Sequence, residues 1–128
     1  MKKIKRRDSH KPPESIEKWG WKYHHLGIPT TIKMPDEEYL PKFKVYTSGF
    51  DTSPFGIEWM RYEPDSPIDK RIQCLPHIAF EVKDLDKELA QHDFKIITEP
   101  NPPSEGVRVA MIEHNGAIIE LIEFEKNK

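Results

Sequence analysis

Two histidines and two glutamates recur along the 128-residue chain in a pattern suited to holding a divalent cation. His25-Leu26-Gly27-Ile28 is echoed by His77-Ile78-Ala79-Phe80, each a histidine followed by a large apolar, a small and a large apolar residue. Gly56-Ile57-Glu58-Trp59-Met60 is echoed, with one extra residue, by Ala117-Ile118-Ile119-Glu120-Leu121-Ile122. In both copies a glutamate sits inside an otherwise apolar strand. His25 precedes Glu58 by 33 residues and His77 precedes Glu120 by 43, so the first copy is an abbreviated second. Imidazole nitrogens and carboxylate oxygens together make a mixed site for a divalent ion. A dication there offsets the desolvation and mutual repulsion of two carboxylates. Taken singly, each residue reads as well as a strand histidine bonded to a backbone carbonyl, or as a solvated glutamate. The repeated pairing is what argues for a site.

The elements that would position these groups are mostly strands. Residues 20–28, 41–49, 55–62, 72–82, 94–98, 106–114 and 116–124 are rich in β-branched and aromatic residues and are broken by Pro, Gly and Asp. One helix stands out over 84–94, capped by Asp84, with Leu85, Leu89 and Phe94 at helical spacing. A shorter helical turn is expected at 34–40, between two prolines. Asn115-Gly116 predicts a tight hairpin, which pairs Glu113 with Ile118, Ile112 with Ile119 and Met111 with Glu120. Glu120 then shares a sheet face with Val109, Met111, Ile118 and Ile122, while Ala110, Ile112, Ile119 and Leu121 face the helix. Strand alternation sets His25 beside Tyr23 and Gly27, and His77 beside Leu75 and Ala79, each opposite its strand's bulky apolar face. By the same rule His24 points away with Leu26 and Ile28. Arg61, Arg108 and Lys33 are candidate grips for an anionic substrate group, with Arg108 also set opposite Glu123 in the hairpin.

Composition narrows the function classes. The net charge is −2 and the pI about 6.3, which argues against nucleic acid as a partner. Twelve prolines point to short elements and stiff connections, not a helical bundle. Cys74 is the lone cysteine, so an intrachain disulfide is excluded; it reads as a small buried apolar residue, and a reducing, cytoplasmic setting is the default. No run of 18 apolar residues suggests a membrane span, and the basic N-terminus lacks a following apolar region. Residues 1–18 are basic and nearly devoid of apolar side chains, and read as a disordered tail.

In these motifs, over about residues 19–125, the chain resembles the vicinal oxygen chelate superfamily, the glyoxalase and bleomycin-resistance-like fold. The resemblance implies an α+β chain of two βαβββ-type modules, about 19–66 and 67–128, forming one cupped mixed sheet. The first module's helix would be shortened or missing, in a region that helps shape the glutathione pocket and dimer contact of glyoxalase I. Carried over by position, the metal ligands are His25, Glu58, His77 and Glu120, for Zn, Ni, Co, Mn or Fe. That set is similar to bacterial-type glyoxalase I, whereas methylmalonyl-CoA epimerases commonly have Gln where Glu58 stands. The implied activity is that of a lyase or isomerase acting on a small oxygen-chelating substrate through an enediolate or enolate. Glu120 would be the base and Glu58 the second candidate. The alternative is a metal-free small-molecule-binding module of the drug-resistance kind. A ring-cleaving dioxygenase would need only two histidines and one carboxylate. A homodimer is expected from the resemblance.

Overall fold

The computed structural model describes residues 7–125. Among these residues eight strands make one mixed sheet, in the spatial order Glu38–Leu40, Val45–Ser48, Ile57–Tyr62, Lys22–Pro29, His77–Glu81, Ala117–Phe124, Val107–His114 and Lys95–Ser104. The first half supplies β1 (Lys22–Pro29), β2 (Glu38–Leu40), β3 (Val45–Ser48) and β4 (Ile57–Tyr62). The second supplies β5 (His77–Glu81), α3 (Leu85–Gln91), β6 (Lys95–Ser104), β7 (Val107–His114) and β8 (Ala117–Phe124). Within each half the first strand runs parallel to the last, β1 with β4 and β5 with β8. The halves join where β1 and β5 pair antiparallel at the centre. This is the expected pair of modules. No helix intervenes between β1 and β2, so the first module does lack one; the helical turn expected at 34–40 reduces to a hydrogen-bonded turn at 35–36 and then β2.

Local chemistry explains these elements. Asn115 (φ 48°) and Gly116 (φ 89°) take the two left-handed positions of a tight hairpin turn. The β7–β8 register is the one counted outward from them, Met111 opposite Glu120 and Ile112 opposite Ile119. Asp84 caps α3 by accepting from the Lys87 N–H at 3.1 Å. Helix α3 buries Leu85 against Phe80, Val82, Ala110, Ile112 and Leu121, which is the face assigned to it. On the other face Met111 and Ile118 pack with Ile72, and Val109 and Ile122 with Ala79. The sheet curls until its two edges nearly meet: Lys42, in the β2–β3 turn, donates its Nζ to the Pro102 carbonyl of β6 at 2.7 Å. The hollow of that curl is the site.

Three further expectations are corrected, at residues 72–76, at Cys74 and along the strand after α3. Residues 72–76 are not strand. Helix α2 (Lys70–Cys74) is capped by Asp69, which accepts from the Arg71 N–H at 2.8 Å. Five residues are too few to show helical periodicity, and Ile72 and Leu75 mimic a strand's apolar content. Cys74 ends that helix exposed, not buried. Strand β6 runs on to Ser104 through Pro100, Pro102 and Pro103; as an edge strand with register shifts, it tolerates residues that cannot donate to a ladder. Within the segment read as a tail, α1 (Glu14–Glu17) is one helical turn, and residues 1–6 lie outside the described residues. No helix among the described residues is long and apolar enough to cross a membrane.

Candidate metal centre

The central four strands carry the site, and their register explains how. Along one row of paired residues lie Glu58, Gly27 and His77; along the next lie His25, Ala79 and Glu120. Each module's small residue therefore sits between its own glutamate and the other module's histidine. That is the physical meaning of the His-X-small repeat: the small residue clears space for an imidazole from the opposite copy. Gly27 does this to the limit, because a Cβ built there would fall 2.1 Å from His77 Cε1.

The four groups converge. His77 Nε2 lies 3.0 Å from Glu120 Oε1, and His25 Nε2 lies 3.6 Å from both Glu120 Oε1 and Glu58 Oε1. His25 and His77 are 5% and 2% exposed. Their Nε2 atoms are closed off from solvent and, despite the short separations, neither is aligned for a hydrogen bond. Buried polar atoms without partners are rare and call for an explanation. Donor atoms around one ion at about 2.0–2.2 Å stand roughly 3.0–3.5 Å apart from one another, close to the separations seen here. One ligand atom from each of His25, His77 and Glu120 lies within 4.8 Å of the others, so these three could hold a metal ion. Glu58 reaches the cluster through His25 alone.

The charges follow from this packing. Burial by itself would raise the Glu120 pKa, but its contacts with the His25 and His77 imidazoles reverse that and bring it down to about 2. Burial dominates at Glu58 and pushes its pKa up. At His25 burial opposes the proton, yet Glu120 and the Glu58 charge outweigh it and the pKa rises.

One participant was assigned to the wrong face by alternation. The β1–β5 register slips between Tyr23 and His25, so that two steps along β1 match one step along β5. The extra residue is His24. The bulge turns it into the hollow beside His25, where it lines the cavity. Its Nδ1 is 2.8 Å from His25 Nδ1, and its ring stacks on Phe50 with centroids 4.8 Å apart. One of the two Nδ1 atoms must donate. Burial and the neighbouring His25 charge lower the His24 pKa; when His25 Nδ1–H is the donor, His24 accepts. His25 Nε2 is thereby aimed at the carboxylates, the orientation a metal-binding imidazole takes from its outer partner. Adjacent histidines at the start of a strand were the only available sequence signal.

Over the cluster opens a cavity of about 340 Å³, at the small end of ligand pockets. Leu40, Phe43, Val45, Met60, Met111 and Ile122 are among the residues lining it. The candidate anion grips lie elsewhere. Arg61 makes a two-pronged pair with Glu37 at 2.7 and 2.8 Å, and Arg108 pairs with Asp86 at 3.0 Å and Glu123 at 3.4 Å. Lys33 is exposed and also lies outside the cavity lining.

No protein-family model matches the chain, and no curated protein matches it. Solved structures do. Hypothetical protein BH1468 from Bacillus halodurans C-125 is 25% identical with a TM-score of 0.65, covering 84% of this chain and 97% of its own. Methylmalonyl-CoA epimerase from Mycobacterium tuberculosis is 20% identical with a TM-score of 0.61, covering 82% of this chain and 89% of its own. The fold is that of the vicinal oxygen chelate superfamily. Neither likeness speaks for the glyoxalase I-like branch within it.

Proposed function

We propose that the chain is a divalent-metal-dependent lyase or isomerase of glyoxalase-like type, acting on a small oxygen-chelating substrate. One observation carries the reading: two buried, unpartnered imidazole nitrogens meet a carboxylate at 3.0 and 3.6 Å beneath an apolar cavity. An epimerase among the proteins of this fold adds support for isomerase chemistry. His25, His77 and Glu120 would hold the ion, with Glu58 as the fourth candidate. Zn, Ni, Co, Mn and Fe all suit such donors. A bound dication would supply Lewis acidity, favouring negative charge on a substrate oxygen.

The chain's own residues do the rest. The apolar lining excludes water and strengthens every charge interaction inside. A carboxylate moves the proton at the substrate carbon. Glu120 is the residue the resemblance implies for this step. Glu58 touches one imidazole where Glu120 touches two, so it is the freer of the pair to follow a proton.

The deciding experiment is metal retention. The full chain is loaded separately with Zn, Ni, Co, Mn and Fe(II), freed of excess ion and analysed for metal, and about one ion per chain is expected for at least one of them. Retention of none would leave the metal-free binding module as the better reading. His24 gives a second measurement. His24→Phe, which keeps a ring against Phe50 but loses the nitrogen facing His25, should weaken metal affinity by about 10–100-fold. Unchanged affinity in a titration would show that His25 is oriented without it.

A further inference from the structure

The charge of the cavity says what kind of substrate it takes, granted the metal-centre reading above. Among the described residues no Lys or Arg lines it, while Glu38, Glu58 and Glu120 do. A dication would balance Glu58 and Glu120, while Glu38, on the edge strand, is exposed. Several cations elsewhere on the chain are already engaged. Arg61 is held by Glu37 and lies over the Tyr46 ring at 4.2 Å, and Arg108 is held by Asp86 and Glu123. Lys44 is paired with Asp65. Lys42, next to the lining residue Phe43, gives its Nζ to the Pro102 carbonyl. Besides His77 and the His24 ring that faces His25, the polar lining is hydroxyl and amide: Tyr62, Thr47, Thr98, Ser104 and Asn101, whose buried Oδ1 has no hydrogen-bond partner.

We propose that this cavity selects a substrate whose body, beyond the oxygens directed at the metal, is uncharged and largely apolar. A carboxylate or phosphate carried into it would shed its hydration and meet no lysine or arginine among the described residues in return. Sites that recognise such groups supply forked arginine or lysine donors, and none among the described residues lines this one. A substrate recognised through acidic groups on its tail is therefore a poor fit, whereas a neutral hydroxyketone or similar compound on a hydrocarbon body fits well. Asn101 Oδ1 adds a place for one hydrogen-bond donor.

The test uses the Co(II)-loaded full chain and two probes with the same chelating head. Benzohydroxamic acid is neutral beyond its head, and 4-carboxybenzohydroxamic acid bears a distal negative charge. Binding is read from the visible absorption of Co(II), and metal content is checked after each titration. The neutral probe should bind tighter by on the order of tenfold or more. Thr47→Lys, which places a cation on the cavity wall, should narrow or reverse that gap. Equal affinities in the unaltered chain, or tighter binding of the carboxylated probe, would overturn the inference while leaving the metal centre standing. Retained Co(II) whose spectrum answers to neither probe would overturn it as well. Failure to retain Co(II) or any other ion would remove the metal centre itself, a distinct result.

Discussion

His77→Ala and Glu120→Ala are each expected to cost at least about a hundredfold in metal affinity. Losing an outer partner of a metal ligand typically costs 10–100-fold, and these residues are argued to be ligands themselves. His77 Nε2 and Glu120 Oε1 form the tightest contact of the cluster at 3.0 Å, and Glu120 also faces His25. Removing either leaves too few donors at one point. Glu58→Gln should cost less, because Glu58 joins through a single 3.6 Å contact. Competition by protons supplies an independent check. The His25 pKa is raised in the metal-free protein because Glu120 and Glu58 together outweigh burial. Metal must therefore displace a proton from it below that raised pKa. Apparent affinity should climb with pH through that range, by up to about tenfold per unit for one displaced proton, and level off above the His25 pKa. A calorimetric titration in buffers of different ionisation enthalpy reads both the affinity and the proton count. Alanine variants that hold metal as tightly as the unaltered chain would rule these residues out as ligands.

What the sequence disclosed, and what it hid, divides along the range of the forces involved. The β7–β8 hairpin was legible down to its register because Asn115-Gly116 fixes a turn locally, and alternation then sorts every side chain. The helix side of the sheet followed for the same reason, as did the placement of Glu120 in the hollow. The four candidate residues were legible as a repeat, since two copies of one module reuse the same positions. The partner of each histidine was not. His77 lies opposite Gly27 and His25 opposite Ala79 only because β1 and β5 pair antiparallel between modules, a long-range choice that no local pattern encodes. His24 was misread because alternation assumes an unbroken strand, and one inserted residue in β1 inverts the prediction at that point. Helix α2 was lost to its brevity. Its Ile72 reaches the hollow-side cluster with Met111 and Ile118, so an apolar residue in an expected strand was found buried, but on a different element.

Gly27→Ala should do nearly as much damage to the site as deleting a ligand, through a single methyl group. An ideal Cβ at Gly27 would lie 2.1 Å from Cε1, 2.5 Å from Nε2 and 2.6 Å from Nδ1 of His77. Three ring atoms at such distances mean that the imidazole lies against the bare Cα. The ring has little room to retreat, because His77 is 2% exposed and its strand is paired on both sides, with β1 and with β8. The backbone at residue 27 is not in the left-handed region, so the cost is one of packing and not of local strain. Overpacking of this kind typically costs about 1–3 kcal/mol, and the displaced Nε2 should take metal affinity down by on the order of a hundredfold. Thermal unfolding of the metal-free protein separates the two effects. The decisive comparison is a double-mutant cycle with His77→Ala. If the clash is the cause, removing the ring gives the new methyl a place, and Gly27→Ala should destabilise the His77→Ala background far less than it does the unaltered chain. Additive losses would mean that the glycine serves the strand and not the imidazole, and the explanation offered for the small residue of the repeat would fall with it.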